Sequence, residues 1–341
     1  NSALESMGDA NDGYHSAAFE RFCAAIPQFR DRVQAQYPGQ NEQRAGVPET
    51  TNPVDPYSAD VLIPAFLSTY TAGAGHSLAV FPALSRLLPN WTVRYSGLQK
   101  LPLFSNIFKS ININHSYKSV YAVGSYASYS SWKEYMGDLG YVQAADGSYT
   151  PSSMFNISTV SINESFAPLL GIDVTLNNNL TAKVEYKTTR VLNLSMTSVQ
   201  LNEQLSKDWV VGVGYKISNF NLFGSGNSRK VKGSKKKNND DSKAQQQKNN
   251  RNGVNHDLNT RLDISFRRQA AITRDIATGV SSASSGNSAL KISLSADYTL
   301  SRYLTLTAYY DRQTNTPLLS SSSYPTTTQD FGLSVKFSLT R

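Results

Sequence analysis

The C-terminal part of the chain alternates between apolar and polar residues, and this period of two constrains the fold more than any other feature. In the last segment the apolar positions are Phe331, Leu333, Val335, Phe337 and Leu339, and the residues between them are Gly, Ser, Lys, Ser and Thr. Successive side chains of a β-strand point to opposite faces. The pattern therefore predicts strands with one apolar face and one polar face.

The same alternation recurs upstream, where Ile292 and Leu294 precede Leu304 and Leu306 at equivalent positions. Extended along the chain, it predicts eleven strands. Their expected ranges are 89–97, 109–128, 155–164, 169–177, 180–200, 208–220, 256–268, 270–278, 288–299, 302–313 and 327–340.

The fold expected from this pattern is an all-β transmembrane protein, the C-terminal part of a very large antiparallel outer-membrane β-barrel. The chain has 19 Tyr, 14 Phe and 3 Trp but a mean hydropathy of only -0.38, and it lacks the roughly 18 consecutive apolar residues of a membrane-spanning helix. Barrel strands alternate in this way, with apolar residues toward lipid and polar residues toward the lumen. A soluble β-sandwich is the alternative, because its strands alternate too.

The nine residues Ile292, Leu294, Leu304, Leu306, Phe331, Leu333, Val335, Phe337 and Leu339 are accordingly predicted to face lipid. Asp297, Lys291 and Lys336 fall on the opposite, lumen-facing side. If the last strand ends in the periplasm, the predicted connections are mostly short on that side, and the long ones, including 129–154 and 221–255, lie outside. That asymmetry is typical of bacterial barrels.

Residues 1–88 form a separate helical and loop segment. Phe19, Phe22, Ile26, Phe29 and Val33 recur at spacings of three and four, which predicts a helix over 16–36. A second apolar segment predicts a helix over 59–71. Both are too short to cross a bilayer, so we expect this segment to cap or line the barrel, with the strands in 89–341.

The net charge of +8 is concentrated in one stretch. Between Arg229 and Arg251 stand nine Lys or Arg and two Asp, and residues 225–253 contain no aromatic residue. Such a composition cannot form a core and predicts a disordered basic loop. Because the remainder is nearly neutral, nucleic-acid binding by the body of the protein is not expected.

Nothing in the sequence indicates an enzyme, a cofactor or a metal site. The four histidines lack metal-ligand spacing, and the single cysteine, Cys23, falls on the apolar face of the first predicted helix. The stretch Gly8–Gly13 resembles a calcium loop but has glycine where an oxygen ligand is required. Gly224–Gly226 lacks the Lys-Ser/Thr pair of a phosphate-binding loop.

An odd number of strands with a periplasmic end, and a first residue that is not Met, predict that further strands and a signal peptide precede residue 1. Several stretches then resemble the C-terminal region of the SprA/Sov family of Bacteroidetes. They are Asn52-Pro53 with 59–67, then 88–98, 166–172 and 309–317, and finally 323–326 with 331–340.

The resemblance implies the outer-membrane translocon of the type IX secretion system, linked to gliding motility in some relatives. Such a barrel passes folded cargo proteins with C-terminal sorting domains to the surface of a Gram-negative bacterium. Its implied partners are a PorV-like outer-membrane barrel, a periplasmic plug protein and the lipid bilayer. The alternatives are a generic large porin or transporter, which predicts a charged constriction, and a soluble cell-surface β-domain for adhesion.

Overall fold

A computed structural model of the chain describes residues 4–38, 48, 51–71, 78, 89–218, 220, 256–301, 303–319 and 324–338. These residues form one large antiparallel sheet, two small sheets and three helices. The predicted basic loop at 225–253 and Leu339 lie outside the described residues.

The helices are α1 (Ala17–Gln34), α2 (Ala59–Tyr70) and the short α3 (Pro102–Ser105). The strands are β1 (Trp91–Tyr95), β2 (Phe108–Val123), β3 (Tyr126–Ser128), β4 (Trp132–Met136), β5 (Leu139–Gln143), β6 (Tyr149–Ser152), β7 (Phe155–Ile157), β8 (Thr159–Leu176), β9 (Leu180–Ser195), β10 (Gln200–Ile217), β11 (Leu258–Asp275), β12 (Ser281–Thr299), β13 (Leu304–Pro317) and β14 (Thr326–Phe337).

The two predicted helices are confirmed to within two residues. Ser16 caps α1 by accepting a hydrogen bond from the Phe19 backbone N–H, and the buried side chains recur at helical spacing from Phe19 to Val33. In α2, seven consecutive side chains from Val61 to Leu67 are buried. No described helix combines the length and the apolar composition needed to cross a membrane.

The large sheet has nine strands in the order β1-β2-β8-β9-β10-β11-β12-β13-β14. The expected large antiparallel β-sheet is thus confirmed. Within the described part of the chain it is open, with β1 and β14 at its two edges. The predicted loop 129–154 contains three short strands, which pair as β4-β5-β6, and it is flanked by β3 and β7, which pair with each other.

Two pairs of predicted strands are single strands in the structure. The predicted break at 165–168 is wrong, because β8 continues through it with an irregular register between Phe166 and Leu170 around the Ala167–Pro168 peptide. The break at 269 is also wrong, because β11 pairs with β10 without interruption. In β11, Gln269 pairs with both neighbouring strands. In β8, pairing with both neighbours is interrupted at 167–169 and resumes at 170–171.

The turn predicted at 201–207 is also wrong, since β9 and β10 are joined at 196–199. Because each of the two pairs of predicted strands is a single strand, the part of the chain between 165–168 and 269 runs in the direction opposite to that predicted. The connection 218–257 therefore lies at the same end of the sheet as the C-terminus of β14, whereas 124–158 lies at the opposite end. Each end has one long connection, so the predicted division into a short-loop and a long-loop side is wrong.

Helices α1 and α2 pack between the small β4-β5-β6 sheet and one face of the large sheet. Tyr37 contacts Tyr141 of the small sheet with ring centroids 5.4 Å apart. On the other side the same core includes Leu192, Leu194 and Leu201 of β9 and β10, all fully buried. The helices cover the end of the large sheet that lies farther from the C-terminus of β14.

Candidate membrane-contact surface

Cross-strand register places most of the exposed apolar side chains of β9–β14 on one face. Val213 of β10 lies opposite Leu262 of β11, which lies opposite Leu294 of β12. The row continues through Tyr310 of β13 to Phe331 of β14. Since no register shift occurs along this row, these five side chains share a face.

We call the following exposed or half-buried apolar side chains of β9–β14 on this face the apolar band. Its members are Val184, Tyr186, Trp209, Val211, Val213, Tyr215, Ile217, Leu262, Ile264, Phe266, Leu290, Ile292, Leu294, Leu304, Leu306, Tyr310, Phe331, Leu333, Val335 and Phe337.

The structure brings together the nine predicted lipid-facing residues except Leu339, which lies outside the described residues. Eight of them belong to the apolar band, where Phe331 is 85% exposed and Leu333 is 84% exposed. Sequence reasoning missed the contribution of β11, because Arg261, Asp263 and Arg267 divide its apolar residues. Their alternation was nevertheless the signal, since all three charges fall on the opposite face.

The apolar band is larger than the apolar patches that water-soluble monomers expose. Its side chains are mostly 37% to 85% exposed, so together they present on the order of 1,000 Å² of apolar surface. Water-soluble monomers rarely expose more than a few hundred Å² in one patch. The band therefore requires a covering of lipid or protein.

The dimensions of the band match a tilted transmembrane strand. On β10 it extends from Trp209 to Tyr215 and Ile217, a rise of about 26 Å at ~3.3 Å per residue. On β9–β12 the band begins in one row, at Tyr186, Trp209, Phe266 and Leu290. Thr327 of β14 lies in the same row, yet the band begins on β14 only at Phe331, four residues further. Over the five strand spacings from β9 to β14 this gives an average incline of about 30°, slightly below the tilt of strands in outer-membrane barrels (about 35–45°).

Aromatic side chains lie along both borders of the band. Near the helix-covered end, Tyr186 and Trp209 stack with ring centroids 4.4 Å apart, and Phe266 lies directly opposite Trp209. Towards the other end lie Tyr215 and Phe337. Aromatic girdles of this kind occupy the two membrane–water interfaces of β-barrels.

The opposite face of the sheet is polar and balances its own charges. Arg267 binds Asp208 at 2.8 Å, Lys187 binds Glu185 at 3.1 Å, and Lys291 lies 4.0 Å from Asp311. The predicted lumen-facing residues Asp297, Lys291 and Lys336 lie on this face. Gly212 belongs to it too, where a Cβ atom would lie 2.5 Å from the Asp263 carboxylate. Small side chains and paired charges make this face suited to water.

A buried charged cluster attaches the N-terminal segment to the sheet. Arg190, Glu203 and Arg274 are almost fully buried, and Glu203 binds both guanidinium groups. Arg274 also donates to the backbone oxygens of Met7, at 2.9 Å, and Tyr14, at 2.5 Å. These contacts satisfy charges that would be costly to bury alone.

Helices α1 and α2 contact the large sheet on the same face as the apolar band. Leu201 and Glu203 are an even number of residues from Trp209 on β10, so their side chains lie on the same face as Trp209. Arg190 of β9 lies over the ring of Tyr70 in α2, with its guanidinium carbon 5.6 Å from the ring centre. On this sheet the helical segment therefore does not lie against the polar face. It covers the part of the strands beyond the apolar band.

Two titratable groups outside the large sheet, Cys23 and Asp60, are held in partly or fully buried surroundings. Burial raises the pKa of the Cys23 thiol to about 11, which keeps it protonated and unreactive at neutral pH. Burial also raises the pKa of Asp60, whose carboxylate accepts a 2.7 Å hydrogen bond from the Ser153 backbone N–H. Among the described residues, no three His, Cys, Asp or Glu side chains gather in a way that would hold a metal ion.

Comparison with known proteins gives no family assignment. No protein-family model matches the chain, and no curated protein is significantly similar to it.

Proposed function

We propose that this chain is the wall of a large β-barrel in the outer membrane of a Gram-negative bacterium. The observation that carries the proposal is the division of the nine-stranded sheet into an apolar band and a charge-balanced polar face on the same strands. Lipid covers the apolar band, and the polar face lines an aqueous lumen. Helices α1 and α2 then lie above the membrane, where they cover the protruding ends of β8–β11.

The barrel conducts protein rather than small solutes. A porin selects solutes with rings of like-charged side chains at a constriction, whereas the polar face carries Lys and Arg close to Asp and Glu. A wall of small side chains and self-paired charges offers few attachment points to a passing protein. The free edges of β1 and β14 also leave room for further strands, as a lumen wide enough for folded cargo requires.

The resemblance to the SprA/Sov family, carried by Asn52-Pro53 with 59–67, by 88–98, 166–172 and 309–317, and by 323–326 with 331–340, supports a specific role. On that basis the protein is the translocon of the type IX secretion system. Its partners are cargo proteins with C-terminal sorting domains, a PorV-like barrel and a periplasmic plug protein. It performs no chemistry on its cargo.

Conductance and companion proteins together test this function. The protein is extracted from native outer membranes in detergent, and the proteins that co-purify with it are identified by mass spectrometry. These companion proteins are then removed, and the conductance of the remaining protein is measured in planar bilayers. We expect a second barrel or a plug, and a conductance well above that of a general porin under the same conditions. A single porin-sized conductance without companions would favour the porin alternative. Full solubility without detergent would favour the adhesion alternative.

A further inference from the structure

Three basic side chains interrupt the apolar character of the band face at one border. Lys207 of β10 immediately precedes the apolar band, two residues before Trp209. Arg268 of β11 lies two residues beyond Phe266, and Arg312 of β13 lies two residues beyond Tyr310. We call Lys207, Arg268 and Arg312 the border cations.

Two of the border cations face each other directly. Lys207 and Arg268 are cross-strand partners on the same face, and like charges in this position destabilise a sheet. Within the described part of the chain, none of the three border cations has a carboxylate within 4.0 Å. The carboxylates of this face, Glu164 and Glu203, are buried and bonded to Tyr117 and to arginines.

The neighbouring charges on the opposite face behave differently. Arg267 and Asp208, adjacent in sequence to Arg268 and Lys207, form an ion pair at 2.8 Å. Carboxylates are therefore available on these strands, but they lie on the polar face. Among the described residues, Lys207 and Arg268 thus have no carboxylate beside them on the band face.

The border cations lie on one side of the band. On the band face of β10–β14, the described residues at the other border are Ile217, Leu258, Tyr298, Leu304 and Phe337, with no Lys or Arg among them. An anion that binds here has its charge beside Lys207 and Arg268 and an apolar part along Trp209 and Phe266. An amphipathic anion has this arrangement of charge and chain.

We infer that the border cations bind the phosphate groups of anionic lipids in the leaflet at the helix-covered end of the sheet. Lys207 and Arg268 together hold one phosphate, and Arg312 contacts a second lipid further along the inclined border. Acyl chains of the bound lipids lie against the apolar band. This inference rests on the proposed membrane placement of the band and names the lipid class that the band selects.

A fluorophore at the border tests the inference. Ser288 of β12 lies directly opposite Arg268 on the same face, so Ser288→Cys in a Cys23→Ala background places a label beside the cations. The labelled protein, extracted from membranes as the intact chain, is reconstituted in phosphatidylcholine vesicles. These vesicles contain acyl-brominated phosphatidylglycerol or, in the matched sample, acyl-brominated phosphatidylcholine, and bromine quenches the label where it is close.

We expect phosphatidylglycerol to quench at a mole fraction lower than that of phosphatidylcholine by about fivefold or more, since each of the two cations at a membrane surface contributes roughly fivefold. In the double variant Lys207→Gln/Arg268→Gln the ratio of the two mole fractions should fall to near one. Arg267→Gln, which changes the adjacent arginine on the polar face, should leave this ratio unchanged, and so should Arg268→Lys. A heat-modifiability gel for each variant shows that the comparison is made on folded protein.

Three results would overturn the inference in distinguishable ways. Equal quenching by the two lipids in the parent protein removes the selectivity but leaves the band in the membrane. A preference abolished by added inorganic phosphate shows a site for free phosphate rather than for lipid. Absence of quenching by either lipid contradicts the membrane placement itself, and with it the proposed function.

Discussion

Replacing Leu294 by arginine should prevent stable insertion of the sheet. Leu294 lies midway between Leu290 and Tyr298 on β12, is 48% exposed, and has Leu262 and Tyr310 as its cross-strand partners. An arginine at the midplane of a barrel's lipid face costs about 2 to 4 kcal/mol. This corresponds to a roughly 30-fold to 900-fold shift in the folding equilibrium.

The neighbouring position provides the matched control. Ser295 lies on the polar face beside Asp297, so Ser295→Arg should shift the equilibrium little. Leu290→Arg, at the border of the band, should cost at most about 1 kcal/mol, because the penalty falls toward the interface. The three variants are compared by the urea concentration that abolishes the heat-modifiable folded form in lipid vesicles.

The depth dependence is the decisive part of this comparison. If a protein partner covered the band, the free-energy costs of Leu290→Arg and Leu294→Arg would depend on the local packing at each site. They would not depend on the distance of each residue from the middle of the band. If Leu290→Arg costs as much as Leu294→Arg, or if Ser295→Arg is equally damaging, then lipid does not cover this face and the reasoning fails.

Three further predictions concern the parts of the molecule around the band. Arg274→Ala removes the hydrogen bonds to the backbone of Met7 and Tyr14. Breaking a buried ion pair costs about 3 to 5 kcal/mol, so alkylation of Cys23 in the folded protein should become roughly 100-fold faster or more. An unchanged alkylation rate would refute the role of Arg274 in attaching the N-terminal segment to the sheet. The raised pKa of Asp60 means that this group stabilises the fold fully below its unfolded pKa near 3.8 and loses that contribution as pH rises through the folded pKa. The protection factors of the α2 amides, which are corrected for the pH dependence of intrinsic exchange, should therefore be higher at acidic than at neutral pH, and Asp60→Asn should remove the difference. A Cβ at Gly332 would lie 2.6 Å from the Tyr309 hydroxyl, so Gly332→Ala should cost about 1 kcal/mol or more, measured by urea unfolding; no loss would mean that Tyr309 moves freely.

The elements that sequence predicted well are those whose signal is local. The spacing from Phe19 to Val33 predicted α1, because a buried helix face needs apolar residues every three or four positions. Strict alternation predicted β14 and the shared face of Ile292 and Leu294. In both cases one contiguous stretch of chain carries the whole pattern.

The elements that sequence missed depend on contacts between distant residues. Residues 201–207 were predicted to connect two strands, yet Glu203 is buried on β10, where Arg190 and Arg274 neutralise it. Pro168 likewise resembled a strand end, although pairing of β8 with β9 resumes at Leu170. The packing of the helices on the apolar face also depends on such contacts, and periodicity alone does not show which face of a sheet a helix covers.

The structure of the protein isolated from native outer membranes, determined by electron cryomicroscopy, would test the central claim most directly. The account predicts that β1 and β14 pair with further strands in one closed barrel, with Asp297 and Lys336 toward the lumen and Leu294 and Val335 in the detergent belt. A sheet whose edges stay open, or whose apolar band is covered by another protein, would contradict it.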